Sequence, residues 1–473
     1  MNGYSEKTET VNFKEEIGIR YRAEAAVIGG GPSGLCAAIA AARCGADTIL
    51  IEQGNCAGGM ATQGLVGPFM TCYDKSGKTQ IIRGLFEEIV ERMVGMGGAL
   101  RPKDVYGGTA FTSWIKAGHD HVTPFEPETL KIVADEMLKE SGVKVLYHTG
   151  FVSPIVENRE LKAVVVNSKS GLQGVSAKVF IDCTGDADVA FACKAPFEFG
   201  NPALKIVQPV SMIFRIGNVD SARVEQEIEE HKTEFYRKNG VNYRSLHWRV
   251  SEAKANGDWD LERVSVGIYR GVKEDEWTVN TSRIMNIDPT DNESLTYAET
   301  EGREQVWKIY RFLKKYVPGC ENARLLCSAS TIGVRESRHI LGEYRLKTED
   351  IINGNVPADS ILLAANSIDI HGRFGALSNE YKTIENGEYY GIPYRALIPK
   401  DVEGLLVAGR SISAESDAAG AVRLMPICMG TGQAAGTAAA MAVKEQKSVR
   451  NISSEKLRES LLNQGVFLGG NKI

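Results

Sequence analysis

A glycine-rich turn near the start of the chain constrains its fold more than any other feature. The spacing G-x-G-x-x-G occurs at residues 29–34, between the short run 24–28 and a small-residue segment that begins at Pro32. A second apolar run, 48–51, follows and ends at Glu52. Continuous apolar runs are typical of buried parallel strands, and the segment between them is typical of a packed helix. The stretch therefore predicts a strand–helix–strand unit.

In that setting the three glycines predict a dinucleotide-binding site. Gly29 permits the tight turn, Gly31 lets the backbone approach a pyrophosphate, and Gly34 lets the helix pack closely on the strand. The helix N-terminus would face the phosphates, and Glu52 would bind a ribose hydroxyl. A packing turn without a ligand is the alternative. The residues predicted to contact the nucleotide here are Gly29, Gly31, Pro32, Ser33, Gly34, Glu52 and Gln53.

The size and charge of the chain favour small-molecule chemistry. Its 473 residues suggest two or three structural units. A net charge of −5, without a long Lys/Arg block, disfavours nucleic acid as a partner. Residues 1–22 are polar, and no stretch reaches the roughly 18 apolar residues of a membrane helix. We therefore expect a cytoplasmic protein with no membrane partner.

The nine cysteines are scattered, with no C-x-x-C pair. Reduced thiols are expected, rather than a thiol–disulfide redox site. The seven histidines lie near no cluster of cysteines or carboxylates with ligand spacing, so no metal site is predicted.

The remaining segments predict a discontinuous nucleotide domain. A helix and strand are expected over 127–149, and a β-meander over 151–182. Residues 201–320 are charged, contain tryptophan, and include helical stretches such as "DSARVEQEIEEHKTEFYRKNG" and "GREQVWKIYRFLKKYV". The last third returns to a strand at 404–410 and a glycine-rich helix at 430–443. The strands of the nucleotide domain are thus expected to come from separated segments.

Several further segments carry a resemblance to a known family. They are "GGMATQGLVGPF" (58–69), "DCTGDAD" (182–188), "GVRESRHILGEY" (333–344), "YGIPYRALIP" (390–399) and "LLVAGRSISAESDAAGAVRLMPICMGTGQAAGTAA" (405–439). Together with the opening motif they resemble the bacterial FAD-dependent oxidoreductase family of the glutathione-reductase-like superfamily with two dinucleotide-binding domains. The resemblance covers most of the chain, is weakest over 201–300, and implies FAD but no particular substrate.

The resemblance also implies how FAD is held. Segments 404–410 and 425–436 resemble the family's second flavin-binding segment, in which a helix N-terminus points at the pyrimidine end of the ring. Such a terminus stabilises the negative charge of a reduced flavin by about 0.3–2 kcal/mol. A buried Ala/Gly helix without a ligand is the alternative. The further residues implied as cofactor contacts are Gly59, Met60, Val152, Gly185, Gly409, Arg410, Met425, Gly430, Gly432 and Gln433.

Three points about the cofactor stay open at this level. Asp186 caps the turn beside Gly185, and no catalytic role is assigned to it. Cys56 or Cys72 offers a covalent link to flavin as an alternative to a plain thiol. No second phosphate-binding fingerprint for a nicotinamide nucleotide is found in the sequence, so electrons are expected to pass to or from a substrate or an unknown partner.

The predicted fold class is therefore α/β, with a Rossmann-like FAD-binding domain made of a parallel sheet and a β-meander. A substrate or cap domain of the α+β type is inserted into it. The predicted boundaries are 20–60, 126–200 and 395–450 for the FAD-binding domain, 61–125 and 201–394 for the substrate/cap domain, and 1–19 for an N-terminal arm.

Three polar clusters are the candidates for catalysis. In the first, Arg335 shares a helix face with Arg338 or His339 if the segment is helical, and Glu336 lies among them. An arginine there could bind a substrate carboxylate while His339 moves a proton. A purely ion-paired helix is the alternative.

The second cluster, "DIHGRFG", contains Asp369, His371 and Arg373, and a turn-stabilising role is its alternative. The third has Tyr394 and Arg395 in "YGIPYRALIP". Imidazole suits proton transfer near neutral pH, so His371 is the predicted acid/base. The groups predicted to position or polarise the substrate are Arg335, Arg338, Tyr394 and Arg395.

These features predict an FAD-dependent oxidoreductase that transfers hydride between flavin N5 and a small polar substrate, a hydroxyl- or amine-bearing acid or sugar derivative. A fumarate-reductase-like reductase of an acidic alkene and a flavin monooxygenase are the enzymatic alternatives. A non-catalytic flavin-binding protein and an RNA-modifying flavoenzyme come from other classes, and the acidic composition disfavours the latter. The oligomeric state, homo-oligomer included, is left open.

Overall fold

The computed structural model describes residues 14–116, 118–372, 375 and 377–469. Residues 1–13 of the predicted N-terminal arm and Arg373 lie outside the described residues. The helices are α1 (Pro32–Arg43), α2 (Leu85–Gly95), α3 (Pro127–Glu140), α4 (Asp188–Ala192), α5 (Ser221–Glu230), α6 (His247–Ala255), α7 (Asn292–Tyr316), α8 (Thr348–Ile352), α9 (Ser416–Val422), α10 (Met425–Glu445) and α11 (Ser454–Asn463).

The strands are β1 (Ile19–Arg22), β2 (Ala25–Ile28), β3 (Thr48–Ile51), β4 (Lys144–Leu146), β5 (Gly150–Glu157), β6 (Glu160–Ser168), β7 (Gly171–Ser176), β8 (Val179–Asp182), β9 (Phe197–Phe199), β10 (Phe214–Gly217), β11 (Tyr236–Lys238), β12 (Val241–Tyr243), β13 (Ile268–Arg270), β14 (Trp277–Val279), β15 (Arg324–Ser328), β16 (Arg338–Ile340), β17 (Ser360–Ala364), β18 (Ile368–His371), β19 (Asn379–Lys382), β20 (Tyr390–Pro393) and β21 (Leu405–Val407).

A parallel sheet forms the centre of the fold. Its five strands run in the order β21-β8-β2-β3-β4, and every neighbouring pair is parallel. Each residue of β2 and β3 is buried, as expected for strands covered on both faces. Strands from the first 51 residues, from 144–182 and from 405–407 meet here, which confirms the prediction that separated segments build one sheet.

Two helices rich in small residues pack against each other beside this sheet. A Cβ added at Gly432 would lie 2.0 Å from the carbonyl oxygen of Ser33, and one at Gly436 would lie 2.1 Å from that of Ala37. These glycines therefore allow α10 to approach α1 closely, as the composition of both helices predicts. The N-termini of α1 and α10, nearly 400 residues apart in sequence, belong to one packed unit.

The predicted β-meander is confirmed as β5, β6 and β7, which are antiparallel neighbours in a second sheet. Three strands of a third sheet, ordered β13-β14-β10-β15, lie in the region 201–300 that resembles the family least. The sheet and α7 share a separate apolar core that includes Phe214, Trp277 and Ile309. The α/β class with a parallel sheet, a meander and a further α+β region is confirmed. The domain boundaries stay a prediction, because apolar residues of 81–99 and 346–398 share one cluster with α1.

The helix considered for 333–344 is wrong. Residues 333–337 are irregular, and Arg338–Ile340 form β16, which pairs antiparallel with β9. The spacing of the charged residues resembles a helix face, but pairing with a neighbouring strand decides the backbone here. Among the described residues, no helix combines the length and the apolar character needed to span a bilayer.

Candidate active site

A cavity of about 1130 Å³ lies at the carboxyl ends of the parallel strands. Ile28, Ile51 and Cys183, at or just beyond the ends of β2, β3 and β8, contribute to its lining. Ligands of open α/β sheets bind at this edge. The volume exceeds the roughly 300–1,000 Å³ of ordinary small-molecule sites.

The glycine-rich turn forms the first end of the cavity. Gly29 has φ +96°, and a Cβ there would lie 2.4 Å from the carbonyl oxygen of Cys183. A Cβ on Gly34 would lie 1.7 Å from the carbonyl oxygen of Gly29. At Gly31 the same position meets no atom within 4 Å, so this residue faces open space. Packing therefore requires glycine at positions 29 and 34, whereas the space beside Gly31 is open to the cavity.

Two features at this end suit a nucleotide. Gly31 begins α1 without a side chain that could accept the first N–H groups of the helix, which leaves them for a ligand. The carboxylate of Glu52 accepts hydrogen bonds from the N–H groups of Gly30 and Gly54, each at 2.5 Å. Glu52 thus fixes the turn while it lines the cavity.

The N-terminus of α10 forms another part of the wall. Leu424 and Met425 line the cavity at the first turn of this helix, and no side chain caps it. Gly409, with φ +95°, and Arg410 follow β21 and line the same cavity. The guanidinium of Arg410 pairs with Asp186 at 2.8 Å, so this arginine is held in place by the turn after β8.

His371 and Asp369 lie on one face of β18 because side chains two residues apart on a strand point to the same side. Ile368 and Ile370 fill the opposite, buried face. Nε2 of His371 lies 2.9 Å from Oδ2 of Asp369, and both residues line the cavity. A carboxylate at this position orients an imidazole and fixes its tautomer.

The carboxylate of Asp369 favours the tautomer that carries the proton on Nε2. Nδ1 of His371 then accepts from Nη2 of Arg283, which lies 3.2 Å away and only donates. The Asn379 atom nearest Nδ1 is Oδ1, at 2.7 Å, so this tautomer requires the Asn379 amide to turn its NH₂ group toward the ring. Burial lowers the pKa of His371, and the attraction of Asp369 opposes this without reversing it.

Further titratable residues that the three predicted clusters do not include line the same cavity. They are Arg244, Arg263, Arg283, Arg423 and His119. Burial lowers the pKa of His119 to about 4, so its ring is neutral at neutral pH, and no described residue forms a hydrogen bond with its buried Nδ1. Most of these residues come from 201–300, where the sequence offers no motif, so only their position in the fold reveals them.

Comparison with known proteins identifies the chain at this point. The model of the family described as FAD dependent oxidoreductase matches residues 24–461. The chain belongs to that family. It is therefore an FAD-dependent enzyme, and the cavity that joins the glycine-rich turn to α10 is where its residues can hold the cofactor.

Solved structures and curated proteins add little to this family assignment. A geranylgeranyl bacteriochlorophyll reductase-like protein from Thermoplasma acidophilum is similar at 14% identity, with 94% of this chain and 84% of that chain covered and a TM-score of 0.43. p-Nitrophenol 4-monooxygenase PnpA from Pseudomonas putida DLL-E4 is similar at 11% identity, with 94% and 84% covered and a TM-score of 0.43. These values are too low to indicate a shared substrate. No curated protein matches the chain.

Several residues predicted to contact FAD lie away from the cavity of this oxidoreductase. Val152 is 49% exposed on the meander strand β5. A Cβ on Gly430 would meet Leu362, and Gly432 packs on the backbone of Ser33. The side chain of Gln433 accepts from the N–H of Leu85 and donates to Gln464. These predicted cofactor contacts are therefore corrected. Val152 is a position in the meander, and helix packing accounts for Gly430, Gly432 and Gln433.

The remaining predicted cofactor residues, except Gly34, line the cavity. They are Gly29, Gly31, Pro32, Ser33, Glu52, Gln53, Gly59, Met60, Gly185, Gly409, Arg410 and Met425. Gly34 packs behind the turn, as its predicted role in helix–strand contact requires. Cys56 and Cys72 are buried, and neither belongs to the described lining, whereas Cys183 and Cys428 do.

The residues of the first predicted catalytic cluster do not lie together, because strand β16 takes the place of the predicted helix. Arg335 lines the cavity, but Arg338 pairs with Asp188 at 2.8 Å and lies over the ring of Phe191. His339 is 2% exposed, outside the lining, with Nε2 3.6 Å from Glu336. Arg338 is thus held by Asp188 and Phe191, and His339 is enclosed beside Glu336, so neither belongs to the described lining and their roles toward a substrate stay predictions without support from the cavity.

The third cluster is also corrected. The hydroxyl of Tyr394 is buried and donates to the carbonyl oxygen of Val449 at 2.8 Å. Arg395 pairs with Asp359 at 2.9 Å, and its side chain is 50% exposed. Neither residue lines the cavity. The contacts of Tyr394 and Arg395 are therefore structural.

Proposed function

We propose that this enzyme dehydrogenates a small polar substrate that carries a hydroxyl or amine group, with FAD as the hydride acceptor. One observation carries the proposal: the His371–Asp369 pair lines the same cavity as the glycine-rich turn and the N-terminus of α10. A proton-transfer group and a dinucleotide cradle that share one cavity are what a flavin dehydrogenase requires.

The chain's own residues suit FAD along the cavity. The open side of Gly31 and the free N–H groups of α1 would hold the pyrophosphate, and Glu52 would accept from a ribose hydroxyl. Met425, at the start of α10, would lie near the pyrimidine side of the ring, where the helix dipole stabilises negative charge. When bound, FAD supplies a two-electron acceptor that takes hydride at flavin N5.

His371 would remove the proton that accompanies hydride loss. The substrate hydroxyl or amine replaces the Arg283 or Asn379 contact at Nδ1 and donates its proton there. Asp369 accepts from Nε2–H and stabilises the imidazolium that forms. The substrate thus loses one hydride and one proton, a two-electron oxidation in which the proton stays on His371.

The assignment to the glutathione-reductase-like superfamily and the roles of the predicted domains are part of this proposal. The separated segments 20–60, 126–200 and 395–450 would form the FAD-binding domain of a glutathione-reductase-like flavoprotein. Segments 61–125 and 201–394 would form the substrate or cap part. This division is supported by the third sheet and its own core, which contribute Arg263 and Arg283 to the cavity.

Anaerobic titration of the purified, FAD-loaded protein tests the proposal. Hydroxy acids, amino acids and sugar acids would be added without oxygen, and bleaching of the flavin absorbance would report electron transfer. The proposal expects bleaching by at least one donor and reoxidation by an added acceptor. A protein that retains no FAD after reconstitution, or whose flavin no donor reduces, contradicts it.

A reductase that works in the opposite direction is the second candidate. The arginines around His371 favour it, because cations polarise an acidic alkene for hydride addition and His371 would then supply the proton. Reduced enzyme that is reoxidised by an unsaturated acid, but is not formed from any saturated donor, would select this direction. Oxygen consumption with a hydroxylated product would instead indicate monooxygenation.

A further inference from the structure

A group of arginines surrounds the His371–Asp369 pair and forms the most unusual electrostatic feature of the cavity. We use the name arginine cluster for Arg263, Arg283, Arg335 and Arg423, all of which line the cavity. They come from the loop before β13, from the segments after β14 and before β16, and from the end of α9, so the tertiary fold alone brings them together.

Three members of the cluster have few partners in the protein. In the part of the chain that the structure describes, the guanidinium of Arg263 makes no hydrogen bond, and its Nε is buried. Arg335 donates only to neutral oxygens, the carbonyl of Pro209 at 2.6 Å and the hydroxyl of Ser211 at 2.9 Å. Arg423 donates to the backbone carbonyl of Asp369 at 3.1 Å, and its Nε is buried without a partner among the described residues.

The nearby carboxylates do not balance these charges. The side chain of Asp369 is already engaged by His371 at 2.9 Å. Glu336, whose charge acts on Arg423, accepts hydrogen bonds from the Ser416 hydroxyl and the N–H of Gln208. Within the described residues, no ion pair joins a carboxylate to Arg263, Arg335 or Arg423. Some partly buried arginines elsewhere are paired with carboxylates, as Arg215 is with Glu126 and Glu276. Others, such as Arg83 and Arg458, donate to backbone carbonyls. What distinguishes Arg263, Arg335 and Arg423 is that they line one cavity together.

Unpaired buried cations are costly, and like charges close together add to the cost. Burial and the charges of Arg263 and Arg423 lower the pKa of Arg335. Burial and the charges of Arg263 and Arg335 also lower the pKa of Arg283. An anion in the cavity removes this penalty, and guanidinium groups bind carboxylates through paired N–H groups.

We propose that the substrate is a small organic acid with at least two negative charges, held at the arginine cluster beside His371. This inference rests on the proposed function and narrows its substrate from polar molecules in general to dianions, which excludes neutral sugars. One carboxylate would bind between Arg263 and Arg335, where the guanidinium groups have spare donors. A second anionic group would then neutralise the rest of the cluster.

Calorimetric titration of the FAD-loaded protein with simple acids tests this. The probes are malonate, succinate and glutarate as dianions, butyrate as a monoanion, and succinamide as a neutral compound, all at constant ionic strength. At least one dianion should bind, with butyrate at least about tenfold weaker and succinamide without detectable heat. Perturbation of the flavin absorbance gives a second readout that needs no turnover.

Variants link the binding to the cluster. Arg263→Gln and Arg335→Gln should each weaken binding of the best dianion at least about tenfold. Arg223→Gln, in an exposed ion pair with Glu321, is the matched control and should bind like the parent. Arg263→Lys keeps the positive charge and should therefore retain more affinity for the dianion than Arg263→Gln. This difference separates loss of charge from a folding defect, which would weaken binding in both variants.

The outcomes separate this inference from the proposed function. If no dianion binds, if butyrate or succinamide binds as tightly as the best dianion, or if both Gln variants bind like the parent, the inference is overturned. Bleaching of the flavin by a neutral donor in that case would leave the dehydrogenase proposal intact. Binding of dianions only to FAD-free protein, with release by FAD, would also overturn it, because the arginines would then serve the cofactor phosphates.

Discussion

Nε2 of His371 lies 2.9 Å from Oδ2 of Asp369, and the two residues are neighbours on one face of β18. The pair provides an oriented imidazole inside the cavity of an enzyme that the sequence identifies only as FAD-dependent. The first prediction therefore concerns this histidine.

His371→Gln should lower the rate of flavin reduction by about 10²- to 10⁴-fold, the usual contribution of a positioned acid or base. FAD content and the unfolding free energy should change little, because Gln fills a similar space. Stopped-flow absorbance with an active donor measures the rate. His231→Gln, outside the cavity lining, is the control. An unchanged rate in His371→Gln would remove this residue from the mechanism.

The pH dependence should follow the neutral form of His371. Because burial places its pKa below the usual value of about 6.5, the base is neutral at pH 7 and loses activity only as the pH falls into the acid range. Asp369→Asn removes the charge that raises this pKa, so the acid limb should move to lower pH. Rate–pH profiles of both proteins test the sign, and an acid limb that moves to higher pH would contradict it.

Substitutions at the glycines of the turn should distinguish effects on folding stability from effects on FAD binding. Gly34→Ala places a Cβ against the carbonyl oxygen of Gly29 and should cost about 1–3 kcal/mol of unfolding free energy or more. Gly31→Ala has open space, so its stability should fall by less than about 1 kcal/mol while FAD affinity drops. Urea unfolding of the FAD-free proteins and FAD titration give the two quantities. Equal stability losses in the two variants would contradict the assignment.

Glu52→Gln should weaken both the turn and FAD binding. The carboxylate accepts from two N–H groups, and an amide would set its own NH₂ group against one of them. Loss of one such bond to a charged acceptor should cost about 1–3 kcal/mol of unfolding free energy. FAD dissociation constants and urea unfolding measure the effects. Glu91→Gln, in an exposed pair with Arg101, should show neither.

The buried ion group of Arg215, Glu126 and Glu276 should be a stability element. Arg215 lies 2.7 Å from each carboxylate, and its side chain is 11% exposed. Arg215→Met would leave Glu126 buried without a cation and Glu276 with Lys273 alone, 3.3 Å away, and should cost about 3–5 kcal/mol of unfolding free energy. Adding Glu126→Gln and Glu276→Gln should recover part of the loss. Arg159→Met, in the exposed pair with Asp401, should leave the thermal midpoint unchanged.

Tyr394→Phe tests one of the corrections. Burial raises the pKa of Tyr394, and its hydroxyl serves a backbone carbonyl. The variant should lose about 1 kcal/mol of stability and keep the full rate of flavin reduction. A large fall in rate with FAD content unchanged would restore Tyr394 to the catalytic group.

Burial explains why two other candidates could not be judged from sequence. Arg335 and His339 stand four positions apart, and both belong to a polar, charged segment that suits an active site. The strand β16 buries His339 beside Glu336, while Arg335, before the strand, reaches the cavity. Both are polar residue types that suit an active site, so residue type does not tell Arg335 and His339 apart. Only the path of the backbone shows which of the two reaches the cavity.

The sequence by itself determined the strand–helix–strand unit, the glycine-rich turn and the family, because these depend on contacts between residues close together in the chain or on motifs of fixed spacing. Only the tertiary structure determined which charged and titratable residues surround His371 in the cavity. Arg263, Arg283 and His119 come from segments without a motif, and they act together only after the third sheet packs against the FAD-binding core. Charge and orientation at a site built from distant segments are properties of packing, which no local spacing encodes.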